Sequence, residues 1–417
     1  MRTVLLREID PAGKEWVRFA HAQSRFLDPD DIIVNLIALK MLFGDRGKFV
    51  GMVLGLTFAA LVMTQQPSIF IGLMTRTYAA IGDVPTADVW VMDPGVQYVE
   101  ESKPLRDTDL ARVRGVAGVA WAVPLYKGII NAKLPDGQTK AIILTGLDDA
   151  TLIGGPPALI EGRLADLRRA DAIIVDREAA ENRLRYVGPD GEERSLKVGD
   201  EIEINDNRAT VVGIGVSTRD FILVPKAFTT YSRAIDFAPP QRRQLTYVLA
   251  KGQDGEHPST LARRIEAQTG LKALTSAEFE QLTLDYWMTN TGIPINFGVS
   301  VLLGFLVGAA VAGQSFFNFV RENLVHYAVL KAMGLRSGIL VRMVLLQALI
   351  VGAIGYGIGV GLTALFGAFM RDTVLAFRMP PALLAFAGVG VLVIVLLSAL
   401  LAIRAVLRMD PAVVFRG

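Results

Sequence analysis

The chain has 417 residues, of which 52% are hydrophobic, and its mean hydropathy of +0.40 is high for a soluble protein. Its formal net charge is +2, so bulk charge gives no reason to expect a nucleic-acid partner. The sequence contains no cysteine, which excludes disulfide bonds, thiolate metal sites and cysteine nucleophiles.

The first charged segment precedes an amphipathic one. Residues 1–31 mix basic and acidic side chains without an apolar core, so we expect a cytoplasmic extension rather than a signal peptide. Within residues 32–48, one helical stripe is apolar and predicts a helix lying in the cytoplasmic membrane interface. The alternative is a solvent-facing extension of the first membrane helix. The stripe consists of Ile32, Leu36, Leu39 and Phe43.

Four long stretches of the sequence contain no Asp, Glu, Lys or Arg. A helix needs about 20 apolar residues to cross a bilayer, and a charge at its centre costs on the order of 2.5–3.5 kcal/mol. The uncharged stretches therefore predict four transmembrane helices. We assign the membrane segments to 49–75, 286–320, 339–370 and 381–403 and place the helices within them near 49–74, 293–319, 339–370 and 381–403.

The distribution of Lys and Arg predicts the orientation. Basic residues are concentrated before the first predicted span, in the 321–338 loop and in the 404–417 segment, whereas the 371–380 loop has only two. Because cytoplasmic loops are enriched in Lys and Arg, both termini are expected in the cytoplasm. Residues 76–285 then lie outside it.

Residues 76–285 read as an α+β domain inserted between the first two membrane helices. Apolar runs separated by turn residues predict strands, and Pro135-Asp136-Gly137 and Asn205-Asp206-Asn207 read as hairpin turns. The predicted strands are Ala87–Met92, Val119–Tyr126, Gly128–Lys133, Lys140–Thr145, Ala172–Val175, Glu201–Ile204, Arg208–Ile214, Phe221–Pro225 and Thr246–Ala250. The predicted helices are Asp107–Val113, Arg177–Arg185, Lys226–Ser232 and Pro258–Thr269.

No catalytic or cofactor site is predicted in the chain. The string Gly44-Asp45-Arg46-Gly47-Lys48-Phe49 is too short for a phosphate-binding loop and lacks the final Ser or Thr. The three histidines are far apart and do not predict a metal site. The carboxylates of the inserted domain lie mostly beside turns, which favours solvated loops.

Small residues four positions apart in the predicted spans favour close helix packing. They fit contacts within one subunit and contacts between two copies equally well. The predicted packing residues are Gly51, Gly55, Gly304, Gly308, Gly355 and Gly359.

The order of these elements and three local strings resemble one family, the FtsX-like or MacB-type permeases of ABC transporters. The strings run from Ala38-Leu39-Lys40 to Gly51, from Glu322 through Ala328-Val329-Leu330-Lys331-Ala332-Met333-Gly334, and from Arg404 to Arg408-Met409-Asp410-Pro411-Ala412. The family's second Arg-Glu pair is replaced here by Val325-His326. Within the family the chain looks closer to the DevC-type branch.

The resemblance implies a function and partners. It implies a bacterial inner-membrane subunit, paired with a second copy in the lipid bilayer, on which a separate cytoplasmic ATPase dimer binds ATP. ATP hydrolysis would drive export or extraction of a lipid, lipoprotein, peptide or drug by mechanotransmission. The DevC-type branch adds a periplasmic membrane-fusion (HlyD-like) partner. Alternatives are a non-transporting relay to an extracytoplasmic enzyme and a membrane-anchored sensor without an ATPase.

The 321–338 segment is the predicted coupling site. Its apolar stripe, formed by Val325, Val329, Ala332 and Met333, predicts an amphipathic helix that ends at Gly334. The alternatives are an ordinary short loop and, for His326, a solvated helix face. The predicted coupling residues are Arg321, Glu322, His326, Lys331 and Gly334.

Overall fold

The computed structural model describes residues 29–371, 373 and 375–408. These residues form two compact units, an inserted domain at Gly72–Pro294 and a helical unit made of the residues on either side of it. Each unit has a hydrophobic core of its own. Most of the predicted N-terminal extension and of the C-terminal segment lies outside the described residues.

Six helices build the described part of the helical unit, and four of them are long and apolar enough to cross a membrane. The predicted fold class, four membrane helices with an α+β domain between the first two, is confirmed. In chain order we name the helices the amphipathic helix, span one, span two, the connecting helix, span three and span four. Their bounds are Pro29–Gly44, Arg46–Arg76, Ile293–Glu322, Leu324–Ala332, Ser337–Phe369 and Pro381–Leu407.

Span two begins at Ile293, as placed from the sequence, seven residues after the start of the uncharged run at residue 286. The preceding residues end a separate helix, Ser276–Asn290, which belongs to the inserted domain. There the Trp287 ring packs against Phe221, with ring centroids 4.4 Å apart. The uncharged run thus includes residues that pack inside the inserted domain as well as residues of the membrane span. An uncharged run alone therefore does not show where one helix ends and the other begins.

The amphipathic helix has apolar side chains on two sides. Ala38 and Leu42 are fully buried in the core of the helical unit. Leu36 and Phe43, which belong to the stripe seen in the sequence, are exposed. Asp45 separates this helix from span one, so it is a distinct helix and not an extension of span one.

Glycines let span one lie very close to spans two and three. A Cβ atom added to Gly308 would lie 2.3 Å from the Ala59 Cβ, and one added to Gly359 would lie 2.6 Å from the Ala60 Cβ. Gly51 differs, because a Cβ there would meet no atom of the described residues within 4 Å. Three more of the predicted glycines make similarly close contacts within the chain: Gly55, Gly304 and Gly355.

Twelve strands lie in the described inserted domain, and ten form one connected sheet in the order β12-β1-β11-β2-β3-β10-β5-β9-β4, with β8 pairing both β2 and β9. Strands β6 and β7 pair separately. The bounds are β1 Val89–Met92, β2 Val119–Lys133, β3 Thr139–Leu147, β4 Ala158–Glu161, β5 Ala172–Asp176, β6 Tyr186–Val187, β7 Glu193–Arg194, β8 Glu201–Ile204, β9 Asn207–Val216, β10 Lys226–Thr230, β11 Tyr247–Gly252 and β12 Lys272–Thr275.

The long strand β2 is shared by two parts of this sheet. Its first half, up to Leu125, pairs with β11, and its second half, from Tyr126, pairs with β3. Because β8 joins the end of β2 to β9, strands β2, β3, β10, β5, β9 and β8 close into a ring. The domain therefore changes from an open sheet to a closed ring in the middle of one strand.

Helices cover both faces of the open part of the sheet, and the alternation of β1 decides which side chains they meet. Val89 and Val91 pack in one core with the helices at Asp107–Arg114 and Pro258–Thr269. Trp90 lies on the opposite face, fully buried against Tyr247 and Phe279. The helices are α1 Ala79–Gly82, α2 Asp107–Arg114, α3 Tyr231–Phe237, α4 Pro258–Thr269 and α5 Ser276–Asn290, with short helical turns at Leu164–Arg168, Ala179–Arg183 and Pro240–Arg242.

Two predicted elements are wrong. Lys226–Ser232 was expected to be helical, but most of it forms the fully buried strand β10, paired with β3 and β5. Because this strand is buried on both faces, it lacks the alternating pattern that reveals a strand. Phe221–Pro225 contains no strand, whereas the predicted helix Arg177–Arg185 is confirmed over residues 177–183.

We predict that Gly308→Ala destabilises the helical unit, whereas Gly357→Ala does not. The new Cβ at Gly308 would collide with Ala59 of span one, and such overpacking typically costs about 1–3 kcal/mol. A Cβ at Gly357 meets nothing within 4 Å among the described residues, so helix propensity alone should stabilise that variant by roughly 0.5–1 kcal/mol. Thermal unfolding of both variants in detergent measures the difference. Equal midpoints would contradict the close packing of spans one and two.

Candidate coupling site

The connecting helix presents two different faces. Tyr327 and Ala328 are buried in the helical unit, whereas Val325 is 57% exposed and Met333 is 66% exposed. Val325 and Met333 belong to the apolar stripe expected from the sequence. We name its four residues the exposed stripe: Val325, Val329, Ala332 and Met333. A row of apolar side chains that the described part of the chain leaves uncovered is typical of an interaction surface.

The connecting helix ends at a glycine in the left-handed conformation. Gly334 has φ +97°, and its N–H donates to the carbonyl of Lys331 at 3.1 Å. The N–H of Leu335 donates to the carbonyl of Leu330 at 3.2 Å. This pair of bonds is a Schellman motif, and it confirms the expected helix end.

An ion pair joins the start of span one to the end of span two. The Lys48 ammonium pairs with Asp45 and with Glu322, the last residue of span two. Glu322 therefore already has a partner within the chain. The pair lies in a groove of about 460 Å³ lined by Lys40, Met41, Gly44, Asp45, Lys48, Glu322, Asn323 and His326.

A buried glutamine of span three contacts two other helices. Gln347 is fully buried, and its Oε1 accepts a hydrogen bond of 2.8 Å from the Tyr327 hydroxyl of the connecting helix. Its Nε2 donates to the carbonyl of Ala38 in the amphipathic helix, also at 2.8 Å. The inner face of the connecting helix is thus attached to two neighbours by directional bonds.

The inserted domain holds buried charges where β2 changes its pairing partner. The Nζ of Lys127 lies 3.9 Å from Oε1 of Glu100, and both side chains are 8% exposed. Neither the ammonium of Lys127 nor the carboxylate of Glu100 has a hydrogen-bond partner among the described residues. Nearby, Lys226 donates to the Asp220 carboxylate at 2.8 Å. Lys127 lines two cavities, of about 40 Å³ and about 310 Å³.

Burial dominates the electrostatics of Glu100. It raises the pKa of this carboxyl from 4.5 to about 7, and the positive charge of Lys127 opposes the rise only in part. A carboxyl in this state gains or loses its proton close to neutral pH. Buried groups of this kind are commonly found at functional sites.

Two parts of the sequence match known protein families. Residues 298–411 match the FtsX-like permease C-terminal family, and residues 49–268, more than half of the chain, match the MacB-like periplasmic core domain family. The chain belongs to the FtsX-like, MacB-type ABC transporter permeases. The resemblance inferred from the local strings is confirmed, whereas the DevC-type branch stays a prediction.

The permease is similar to an uncharacterized ABC transporter permease of Mycobacterium tuberculosis, found in strains CDC 1551 and H37Rv. The two chains are 24% identical over 328 residues, which cover 76% of this chain and 80% of the relative. The extracellular domain of the transporter YknZ from Gram-positive bacteria aligns with 14% identity and a TM-score of 0.32, covering 45% of this chain and 98% of that one. The periplasmic region of MacB from Actinobacillus actinomycetemcomitans aligns with 13% identity and a TM-score of 0.34, covering 48% of this chain and 94% of that one.

The predicted coupling residues are only partly brought together. Glu322 and His326 line the groove, while Arg321 is exposed outside its lining. Lys331 is half-buried on the connecting helix, and Gly334 ends that helix. The role of these five residues in binding an ATPase stays a prediction.

Sequence reasoning missed the buried polar residues of both units. Gln347 is the one amide side chain of span three, and an amide in a membrane span often bonds across helices, so the signal was present. Lys127 stands between apolar residues of a strand, which indicates a buried lysine. The charged partner of Lys127 comes from a distant loop and has no local signal.

We predict that Glu100→Gln flattens the pH dependence of the inserted domain's stability. The folded state holds the Glu100 proton more tightly than the unfolded chain does. The stability from this group is therefore fully present below about pH 4.5 and is lost as the pH rises through about 7. The loss is at most about 3 kcal/mol. Unfolding of the full chain in detergent between pH 5 and 8 measures it by tryptophan fluorescence.

The matched control is Glu193→Gln, because the Glu193 side chain is 67% exposed. This control should keep the wild-type slope of stability against pH. The described tryptophans, Trp90, Trp121 and Trp287, all lie in the inserted domain and report its unfolding. A wild-type slope in Glu100→Gln would show that Glu100 is ionised throughout this range.

Proposed function

We propose that this permease is the membrane subunit of an ABC exporter or extruder that couples ATP hydrolysis by a separate ATPase dimer to movement of a hydrophobic substrate. The observation that carries the proposal is the exposed stripe of the connecting helix. Val325 and Met333 are apolar and largely uncovered, while the opposite face of the same short helix is buried. Such a surface suits a protein partner. Lipid, lipoprotein, peptide and drug are the substrate classes that the family resemblance supports.

The connecting helix suits the transmission of force. Only Asn323 lies between span two and this helix, and a short turn joins it to span three. A docked ATPase that moves the helix therefore displaces both spans. The spans have no charged residue near their middle, which favours mechanotransmission by a pair of copies over a hydrophilic pore.

The proposal includes an orientation in the bacterial inner membrane. The excess of Lys and Arg before span one, between spans two and three and after span four supports cytoplasmic termini. The inserted domain then faces the periplasm, where a membrane-fusion protein of the DevC-type branch could reach it.

A second candidate function is a relay to an extracytoplasmic enzyme without transport. The cavity that has mostly apolar lining in the inserted domain, beside Trp90, Leu125 and Phe228, offers only about 40 Å³. This volume fits a few water molecules and is too small for a lipid. The larger cavity of about 310 Å³ is lined by the charged side chains of Glu100, Lys127 and Arg242, which do not suit an apolar substrate.

We predict that Val325→Glu and Met333→Glu each prevent ATPase docking without preventing membrane insertion. Each change places a charge in the exposed stripe, and we expect the ATPase recovered with the permease from native membranes to fall at least tenfold, about 1.4 kcal/mol. Val187→Glu is the control, since Val187 is a 43% exposed residue of the inserted domain. Unchanged recovery in both stripe variants would remove the stripe as the docking surface. Failure of the wild type to retain any ATPase would count against the function itself.

We predict that labelling of single introduced cysteines will show cytoplasmic termini and an extracytoplasmic inserted domain. Because the chain has no native cysteine, all labelling comes from the introduced one. In intact spheroplasts, an impermeant thiol reagent should modify Val198→Cys in the inserted domain. It should modify Val325→Cys only after the membrane is opened. Both residues are exposed in the structure, at 37% and 57%, and the spheroplasts carry the permease without its ATPase, so protection reflects the membrane and neither burial nor a docked partner. Labelling of both sites in sealed spheroplasts would overturn the orientation.

A further inference from the structure

One glutamine side chain joins three helices of the helical unit. Gln347 of span three accepts from Tyr327 of the connecting helix and donates to the Ala38 carbonyl of the amphipathic helix. Both bonds are 2.8 Å long, and both participating side chains are fully buried. The amide therefore uses its acceptor on one neighbour and a donor on the other.

The surroundings of Gln347 make these bonds difficult to replace. Met343, Val344 and Val351, on the same side of span three, are buried and apolar. Water is scarce in such a place, so an amide that loses its partner stays unsatisfied, which is unfavourable. An apolar residue of the same size would pack without this constraint. The polar contact thus fixes the positions of three helices that dispersion contacts alone would hold less specifically.

Tyr327 lies on the face of the connecting helix opposite the exposed stripe. A displacement of the stripe therefore reaches the rest of the helical unit through the buried face. Apolar contacts on that face allow sliding, because they have no preferred direction. The hydroxyl–amide bond is directional, so it resists rotation and sliding of the short helix.

The other end of this link is the amphipathic helix. It is separated from span one by the single non-helical residue Asp45, and its far side exposes Leu36 and Phe43. Asp45 interrupts the backbone helix between the two elements, so the amphipathic helix can change its angle without unwinding span one. Through Gln347, the connecting helix is therefore linked by hydrogen bonds to the amphipathic helix.

We infer that Gln347 is a positioning residue that makes the connecting helix, span three and the amphipathic helix move as one body, so that ATPase motion turns the amphipathic helix about Asp45. The rigid link is a property of this chain alone. The ATP-driven turn of the amphipathic helix rests on the proposed function, and the two parts are tested separately.

The rigid link is tested on the full chain in liposomes without an ATPase. Spin labels on Leu36→Cys and Val325→Cys report the distance between the amphipathic and connecting helices, and no native cysteine interferes. We expect one narrow distance distribution in the parent chain. Gln347→Met, which keeps the shape but removes both bonds, should at least double its width. Tyr327→Phe, which removes one hydroxyl, should broaden it less.

The matched control is Thr363→Val, also in span three. Thr363 is fully buried, and its Oγ lies 2.6 Å from the Oγ of Thr64 in span one, so the control removes a buried polar contact that leads elsewhere. We expect it to leave the distribution narrow. An unchanged width in a folded Gln347→Met protein, or equal broadening in Thr363→Val, would overturn the rigid link.

The ATP-driven turn is tested with labels on Leu36→Cys and Leu54→Cys, because Leu54 is an exposed residue of span one. With the ATPase bound, addition of a non-hydrolysable ATP analogue should shift this distance in the parent chain. Gln347→Met should lose at least half of the shift while it still retains the ATPase. No shift in a parent complex that retains its ATPase would overturn the turn but leave the proposed function standing. A parent chain that retains no ATPase would overturn the proposed function, and the first measurement would still test the link.

Discussion

The close approach of span one to spans two and three is the contact on which the helical unit depends. Hydrocarbon offers no hydrophobic driving force between helices, so their association relies on dispersion and on polar contacts between them. Gly308 and Gly359 bring the backbones together at Ala59 and Ala60, where any side chain would collide. The connecting helix, which lies between spans two and three in sequence, keeps one face buried against this unit and exposes the other.

The inserted domain is stabilised mainly by the burial of apolar side chains away from water. Its cores lie on both faces of the open sheet and inside the strand ring, as expected for burial of apolar strands and helices. Strand β2 belongs to both parts, and Lys127 lies just after the point where its pairing changes. The ion pair with Glu100 thus lies at the seam of the domain, where apolar packing from either side is interrupted.

The sequence predicted those features that depend on composition along the chain. Long uncharged runs located the spans because hydrocarbon excludes charge, and Gly334 marked a helix end because few other residues adopt a positive φ. Features that depend on distant contacts were missed or wrong. Strand β10 looked helical because both of its faces are buried, Ala227 in one apolar core and Phe228 in another. The bonds of Gln347 depend on side-chain and backbone groups of two other helices.

The closed ring of strands also affects how copies of this protein coexist at a crowded membrane. A strand whose backbone groups are paired on both sides offers no template for a strand of a neighbouring molecule. The open edges of the large sheet are β12 and β4, which have only four residues each. Short edges recruit foreign strands poorly. Inserted domains of neighbouring copies can therefore collide repeatedly without forming intermolecular β-sheets.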